Sequence, residues 1–392
     1  MTDRHPHTAA VRVGLESDTT HGSVVPPIYL SSNFTFAGFA EPRRYDYTRS
    51  GNPTRELLAE ALAELEGGAG AVVTATGMAT ITTVAMAFLR PGQRIVVPHD
   101  LYGGSWRLFD SLAEKGHFEV SYVDLTDPAT VAREISASAP GGAPTVVLVE
   151  TPSNPLLRIT DIADVARRAH AVGALLIADN TFCSPLGQRP IEHGADVVVH
   201  STTKYLNGHS DVVGGAIVAS TPELVETLAW WANVIGVTGS PFDSYLTLRG
   251  LRSLHTRMRA HQENAAAIAD ALAAHPAVSA VHYPGLTTHP GHDLAARQQD
   301  GFGGMVSFEL ADEQAVRRFV AGLRCLSLAE SLGGVESLVA HPMTMTHASM
   351  TPQAHAAAGI TAGLVRLSIG IESATDLVAD IRAGLDRAAS SD

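Results

Sequence analysis

From about residue 61 onward, short apolar runs alternate with stretches whose apolar positions recur at helical spacing. The runs are Arg94–Pro98, Val120–Asp124, Thr145–Glu150, Leu175–Asp179, Asp196–His200 and Gly214–Ala219. Between them, Ser105–Lys115, Pro128–Ser138 and Asp161–Val172 read as helices. Short apolar strands separated by helices predict a mostly parallel sheet covered on both faces, with ligands beyond the carboxyl ends of its strands. Past about residue 255 the texture changes: a helix over Met258–His275, strands over Met305–Leu310 and Val365–Ile369, and a final helix over Ala374–Ala388. That order predicts a smaller α+β domain. The first 60 residues are broken by Pro26-Pro27, Pro42, Gly51 and Pro53 and read as an irregular arm. The expected division is therefore an arm over 1–60, a large α/β domain over 61–255 and an α+β domain over 256–392.

Composition narrows the function classes. The chain has 27 Lys plus Arg against 40 Asp plus Glu, a formal charge of −13, which argues against a nucleic-acid binder needing a basic face. Two cysteines, Cys183 and Cys325, exclude a disulfide framework and a multi-cysteine metal site and suit a reducing compartment. Residues 67–89 carry no charge and are long enough to span a bilayer, yet they are rich in Thr and Gly and break at Thr76-Gly77. They read as a turn plus a buried helix. The N-terminal residues lack the apolar core of a signal peptide, so a cytosolic protein is expected. His289 and His292 are the closest suggestive histidine pair, but Pro and Gly make a loop there, and no metal site is expected.

Candidate chemistry gathers at strand ends. In Asp196-Val-Val-Val-His-Ser-Thr-Thr-Lys204, a buried strand runs into hydroxyls and then a lysine. That arrangement fits a Schiff-base lysine with Ser201 and Thr203 as phosphate-binding hydroxyls, or a solvated loop lysine. Asp179 ends another apolar run, 25 residues before Lys204. A carboxylate there can hold a pyridinium nitrogen protonated, or simply cap the next segment. Thr74-Ala-Thr-Gly77-Met78 opens a helix through Leu89, where a glycine lets a phosphate approach free N–H groups or serves packing alone.

Three further signals are weaker. Tyr102, in Asp100-Leu-Tyr102-Gly-Gly, follows a strand and can stack on a planar ring or pack in a turn. Tyr47 and Arg49, two apart in an extended arm, point the same way and can reach a phosphate, or form a charged surface loop. Arg366 lies within an apolar strand; a buried arginine needs a partner, either a substrate carboxylate or a structural salt bridge.

Taken in this order, the motifs resemble those of the pyridoxal-phosphate enzymes of cysteine and methionine metabolism, from about Val24 to the C-terminus. The resemblance implies fold type I, the aspartate-aminotransferase-like α/β architecture, and a homotetramer built from two active dimers. It implies pyridoxal 5′-phosphate on Lys204, Asp179 at the ring nitrogen and Tyr102 on the ring face. Gly77, Met78, Ser201 and Thr203 would hold the phosphate, with Tyr47 and Arg49 reaching the phosphate of a neighbouring subunit. Arg366 would clamp the substrate α-carboxylate, with Asn154 and Ser331 nearby and Glu330 facing a distal amino group. Lys204, Tyr102 and Tyr47 would handle protons.

The segments Ala229-Trp-Trp-Ala-Asn-Val-Ile-Gly and Leu328-Ala-Glu330-Ser-Leu-Gly-Gly are most similar to members that perform γ-replacement. The activity implied is formation of L-cystathionine and succinate from O-succinyl-L-homoserine and L-cysteine. Ser240-Pro241 reads more like the γ-lyases, and Glu330 fits both kinds. Gly104 replaces the cysteine usual in methionine γ-lyases, and the tyrosine of β-lyases is absent at position 330. The alternatives are cleavage of cystathionine to cysteine, 2-oxobutyrate and ammonia, and a cofactor-binding regulator without turnover. The acyl group preferred is not legible. The expected partners are small amino acids and other copies of the chain, with neither nucleic acid nor membrane.

Overall fold

The apolar runs become strands close to where the sequence puts them. The structure, a computed structural model, describes residues 4–390; the outermost residues of the expected arm and C-terminal domain, 1–3 and 391–392, lie outside it. The strands are β1 (Gly70–Thr74), β2 (Arg94–Pro98), β3 (Glu119–Val123), β4 (Val146–Glu150), β5 (Leu175–Asp179), β6 (Val197–Ser201), β7 (Gly215–Ala219), β8 (Ala280–His282), β9 (Met305–Glu309), β10 (Leu326–Leu328), β11 (Ser337–Ala340) and β12 (Leu364–Ser368). The described residues form two compact units, one of the residues up to Leu89 with Ile177–His255, the other of Arg90–Leu176 with the residues from Thr256 onward.

In the first unit the strands run in the order β1, β7, β6, β5. β7 is antiparallel to both neighbours, whereas β6 is parallel to β5. Val197, Val198, Val199, Ile217 and Val218 are almost wholly buried, which is why these runs carry no polar alternation. The first 60 residues are less irregular than expected: helices cover Pro6–Arg12 and Pro53–Glu66. Both start on a proline, which costs nothing at a first helical position because that N–H is unpaired anyway. Asn52 caps the second helix by accepting from the N–H groups of Thr54 and Arg55. Strand β1 lies within the stretch read as a turn plus a helix. It exists because Gly70–Thr74 pairs with Ala219–Gly215, a partner too distant for a local pattern to reveal.

In the second unit β2 pairs in parallel with β3 on one side and β4 on the other. A separate five-stranded sheet runs β10, β11, β12, β9, β8, parallel only at β10–β11. Helices Glu313–Val320 and Ala374–Ala389 bury Phe319, Leu377, Ile381 and Leu385 in one apolar cluster with Phe308 and Leu367. The rings of Phe308 and Phe319 meet edge to face at 5.3 Å. Among the described residues no helix is long and apolar enough to cross a membrane.

The second unit also buries histidines in neutral form. Desolvation lowers His261 and His289 to about 4 and His347 to about 3, the last with help from the Arg366 charge. Unfolded imidazoles titrate near 6.5, so on acidification the unfolded chain takes up protons that the folded unit refuses. A depressed folded value means stability held above about pH 6.5 and lost as the pH falls toward 4. The urea midpoint is expected to fall steeply between pH 7 and roughly pH 5. A midpoint flat across that range would show these imidazoles to be charged in the folded state.

Candidate active site

In the first unit β5 and β6 end side by side, with Asp179 in register with Val199. Beyond β6 the chain turns: Lys204 N–H donates to Ser201 O (3.2 Å), and Lys204 O accepts from Gly208 N–H (2.8 Å). The half-buried lysine is thus fixed by backbone on both sides, two strand ends from a carboxylate. Thr181 ties the ends together. Its N–H donates to Asp179 Oδ1, and its hydroxyl accepts from Ser201 N–H, both at 2.9 Å. The sequence reading missed Thr181; an Asp followed two residues later by Thr at a strand end was the available signal.

Burial pushes the Asp179 carboxyl up, against the hydrogen bonds of Thr181 and the charge of His200, which pull it down. A carboxylate so placed gains from a cationic partner such as a protonated ring nitrogen. The helix Gly77–Phe88 points its first turn at Ser201. Thr76 caps it through Ala79 N–H (2.9 Å). A Cβ on Gly77 would lie 2.7 Å from Ser201 Cβ and 2.9 Å from its Oγ. Bare backbone, a hydroxyl and a helix N-terminus make an anion cradle that any side chain at 77 would fill. Thr203 contributes its hydroxyl to the neighbouring loop, accepting from Gly214 N–H at 3.0 Å. Amine, carboxylate and cradle fit the aldehyde, ring nitrogen and phosphate of pyridoxal 5′-phosphate.

Gly77→Ala tests the cradle. Overpacking of this kind costs about 1–3 kcal/mol. Titration of the apoprotein by absorbance is expected to show roughly tenfold weaker cofactor binding, worth about 1.4 kcal/mol. Wild-type affinity in a variant that is destabilised would leave Gly77 a packing residue only.

Tyr47 and Arg49 do come together, though not in extended chain. Ser50 and Gly51 N–H both donate to Tyr47 O, closing a turn. The turn lays the Arg49 guanidinium 5.7 Å from the Tyr47 ring centre. Arg49 Nη1 donates to Asn233 O and Oδ1 at 2.9 and 2.7 Å. The local hydrogen bonds of Asp46 and Ser50 outcompete the extended conformation.

The second unit holds the remaining candidates. Tyr102 precedes the helix Gly103–Glu114 and is 43% exposed. Its phenol is pushed up, first by desolvation and then by the charge of Glu330, while Arg107 and Arg366 pull it down. Arg366 is buried in β12 between Ala340 of β11 and Ser307 of β9. Nη1 donates to Asn154 Oδ1 (2.9 Å) and Nη2 to Ser331 O (3.0 Å). Two of the groups that hold it are thus neutral oxygens, an amide and a carbonyl. Ser331 has φ 89°, a region that non-glycine residues rarely occupy, and Glu330 beside it is exposed. Asn154 is braced further: its N–H donates to Glu150 Oε1 (3.1 Å), and its carbonyl accepts from His347 Nε2 (3.0 Å). Sequence reading missed Glu150 and His347. His289 and His292 fold back on their own loop, accepting from Gly291 N–H and donating to Pro284 O.

The chain matches the family described as "Cys/Met metabolism PLP-dependent enzyme" over residues 7–386. It is 56% identical to cystathionine gamma-synthase of Escherichia coli over 382 residues, 97% of this chain and 98% of that one. It is 44% identical to a cystathionine beta-lyase of Lactococcus lactis over 380 residues, 97% and 98% of the two chains. A solved structure of cystathionine gamma synthase from Xanthomonas oryzae pv. oryzae, in complex with cystathionine, superposes with a TM-score of 0.96 at 64% identity, covering 99% of each chain. These likenesses carry the fold type expected from the motifs.

Proposed function

Because the chain belongs to the Cys/Met metabolism PLP-dependent enzyme family, whose cofactor is pyridoxal 5′-phosphate, we propose that it catalyses γ-replacement. L-Cysteine sulfur displaces the acyloxy group of O-succinyl-L-homoserine, giving L-cystathionine and succinate. One observation supports cystathionine as the ligand of the site, and the 56% identity to cystathionine gamma-synthase favours its synthesis over its cleavage. The carbonyl of Ser331 braces the buried Arg366, and the acidic Glu330 stands next to it. A carboxylate clamp with an adjacent acid suits an amino acid that ends with a second ammonium group, as cystathionine does. The 64% identical structure holding cystathionine supports it.

When bound, pyridoxal phosphate supplies an electron sink for protons leaving the α and β carbons. The protein's own groups divide the remaining work. Lys204 would hold the aldehyde through its amine and would serve as base for the α proton. Asp179 keeps the ring nitrogen cationic. The N–H groups of Gly77 and Met78 and the hydroxyls of Ser201 and Thr203 hold the phosphate. Tyr102 would stack on the ring and, with Tyr47, would move protons near the leaving group. Arg366 fixes the α-carboxylate beside Asn154 and Ser331. The arm exposes Phe39, Leu30 and Phe36, apolar surface that a second copy would cover. This supports the homotetramer, with Tyr47 and Arg49 serving a neighbouring subunit in a cytoplasmic enzyme.

A γ-lyase reading has its own support in the 40% identical structure of cystathionine gamma-lyase from Lactobacillus plantarum. Incubation with O-succinyl-L-homoserine, with and without cysteine, separates them. Cystathionine and succinate in equal amounts are expected when cysteine is present. Faster release of 2-oxobutyrate and ammonia from cystathionine than synthesis of cystathionine would make the enzyme a lyase. Bound cofactor without turnover on either substrate would make it a regulator.

A further inference from the structure

Glu150 ends β4, is 7% exposed and directs its two oxygens to different parts of the chain. Oε2 accepts from Tyr102 N–H at 3.0 Å, and Oε1 accepts from Asn154 N–H at 3.1 Å. Tyr102 opens the helix after β2, while Asn154 lies in the Thr-Pro-Ser-Asn-Pro loop after β4. Asn154 passes its position on, since its side-chain oxygen receives Arg366 Nη1 at 2.9 Å. We infer that Glu150 is a positioning residue that sets Tyr102 and the Asn154–Arg366 clamp in one fixed relation.

The chemistry demands a carboxylate. Both partners are donors, so both atoms of the bridging group must be acceptors, and an ionised Glu offers two oxygens. A glutamine of the same shape turns an NH2 group toward one of the two N–H groups and leaves a buried donor unmet. An aspartate is one methylene shorter and cannot span both. Glu150 is also among the groups that raise the Tyr102 phenol, after burial and the charge of Glu330. The bridge thus joins the group facing the ring to the group facing the substrate carboxylate. It rests on the reading of Tyr102 and Arg366 given above.

Glu150→Gln is the test, with Tyr102→Ala and Arg366→Ala as references. Cofactor affinity is read by titrating apoprotein with pyridoxal 5′-phosphate. Clamp affinity is read with the holoenzyme and L-norvaline, which has a carboxylate but no γ leaving group. Tyr102→Ala should weaken only the first, and Arg366→Ala only the second. Glu150→Gln should weaken both, by about tenfold each, the scale of a displacement well under 1 Å. The alkaline limb of its kcat/KM profile should shift to lower pH. Affinities within about twofold of wild type, with an unmoved alkaline limb, overturn the inference. Should Glu150→Gln fail to fold, Glu150→Asp must show the same paired loss, and a loss confined to one ligand overturns the bridge. If the two reference variants bind both ligands normally, the assignment of Tyr102 and Arg366 is itself wrong, and the inference falls with it.

Discussion

Lys204→Ala is expected to fold normally and to lose at least ~10³-fold in kcat/KM, about 4 kcal/mol of transition-state stabilisation. Folding should survive because the turn that carries the residue is held by main-chain groups. Its N–H bonds Ser201 O and its carbonyl bonds Gly208 N–H, neither of which involves the side chain. Catalysis should not survive, because the amine is the proposed anchor of the cofactor aldehyde and the proposed base. Absorbance of the purified variant and initial rates on O-succinyl-L-homoserine with cysteine measure both. Turnover within tenfold of wild type would remove Lys204 from the chemistry and require another amine.

Arg366→Ala should raise KM for amino-acid substrates by roughly 30- to 1,000-fold, the range for breaking a desolvated charge pair, ~2–4 kcal/mol. The guanidinium meets Asn154 and Ser331 through two different nitrogens, which aims it as a planar fork. Lysine offers a point charge with no fork, so Arg366→Lys should recover only part of the loss. The truncation also removes the donor that Arg366 gives to the buried Asn154 Oδ1, so some loss of stability accompanies it. Substrate binding and stability can be separated with an analogue in which the α-carboxylate is replaced by hydrogen. Its binding should be indifferent to the substitution. A carboxylate substrate with wild-type KM in Arg366→Ala would reassign the arginine to the fold alone.

What the sequence revealed depended on range. Asp179, Ser201 and Lys204 were legible because they stand where an apolar run stops, and a polar residue at a strand end is a local event. Arg366 was legible because a charge inside Leu364–Ser368 contradicts its surroundings. β1 was not, since Gly-Ala-Val-Val-Thr becomes a strand only through β7. β10 and β11 escaped notice for a similar reason, being three and four residues long and stabilised by partners elsewhere. Prolines were read as breakers in the arm, yet Pro6 and Pro53 begin helices. Thr181 and Glu150 were invisible because they act on main-chain N–H groups, and no spacing rule records which amide a side chain will meet.

The pairing of β1 with β7 also sets an order for synthesis. Gly70 leaves the ribosome long before Ala219, its register partner, has been made. At ~5–20 residues per second the wait is roughly 10–30 s. Throughout it, an uncharged segment from Gly67 to Leu89 has no strand to pair with. The nascent chain therefore shows apolar surface to the cell until β7 has been made.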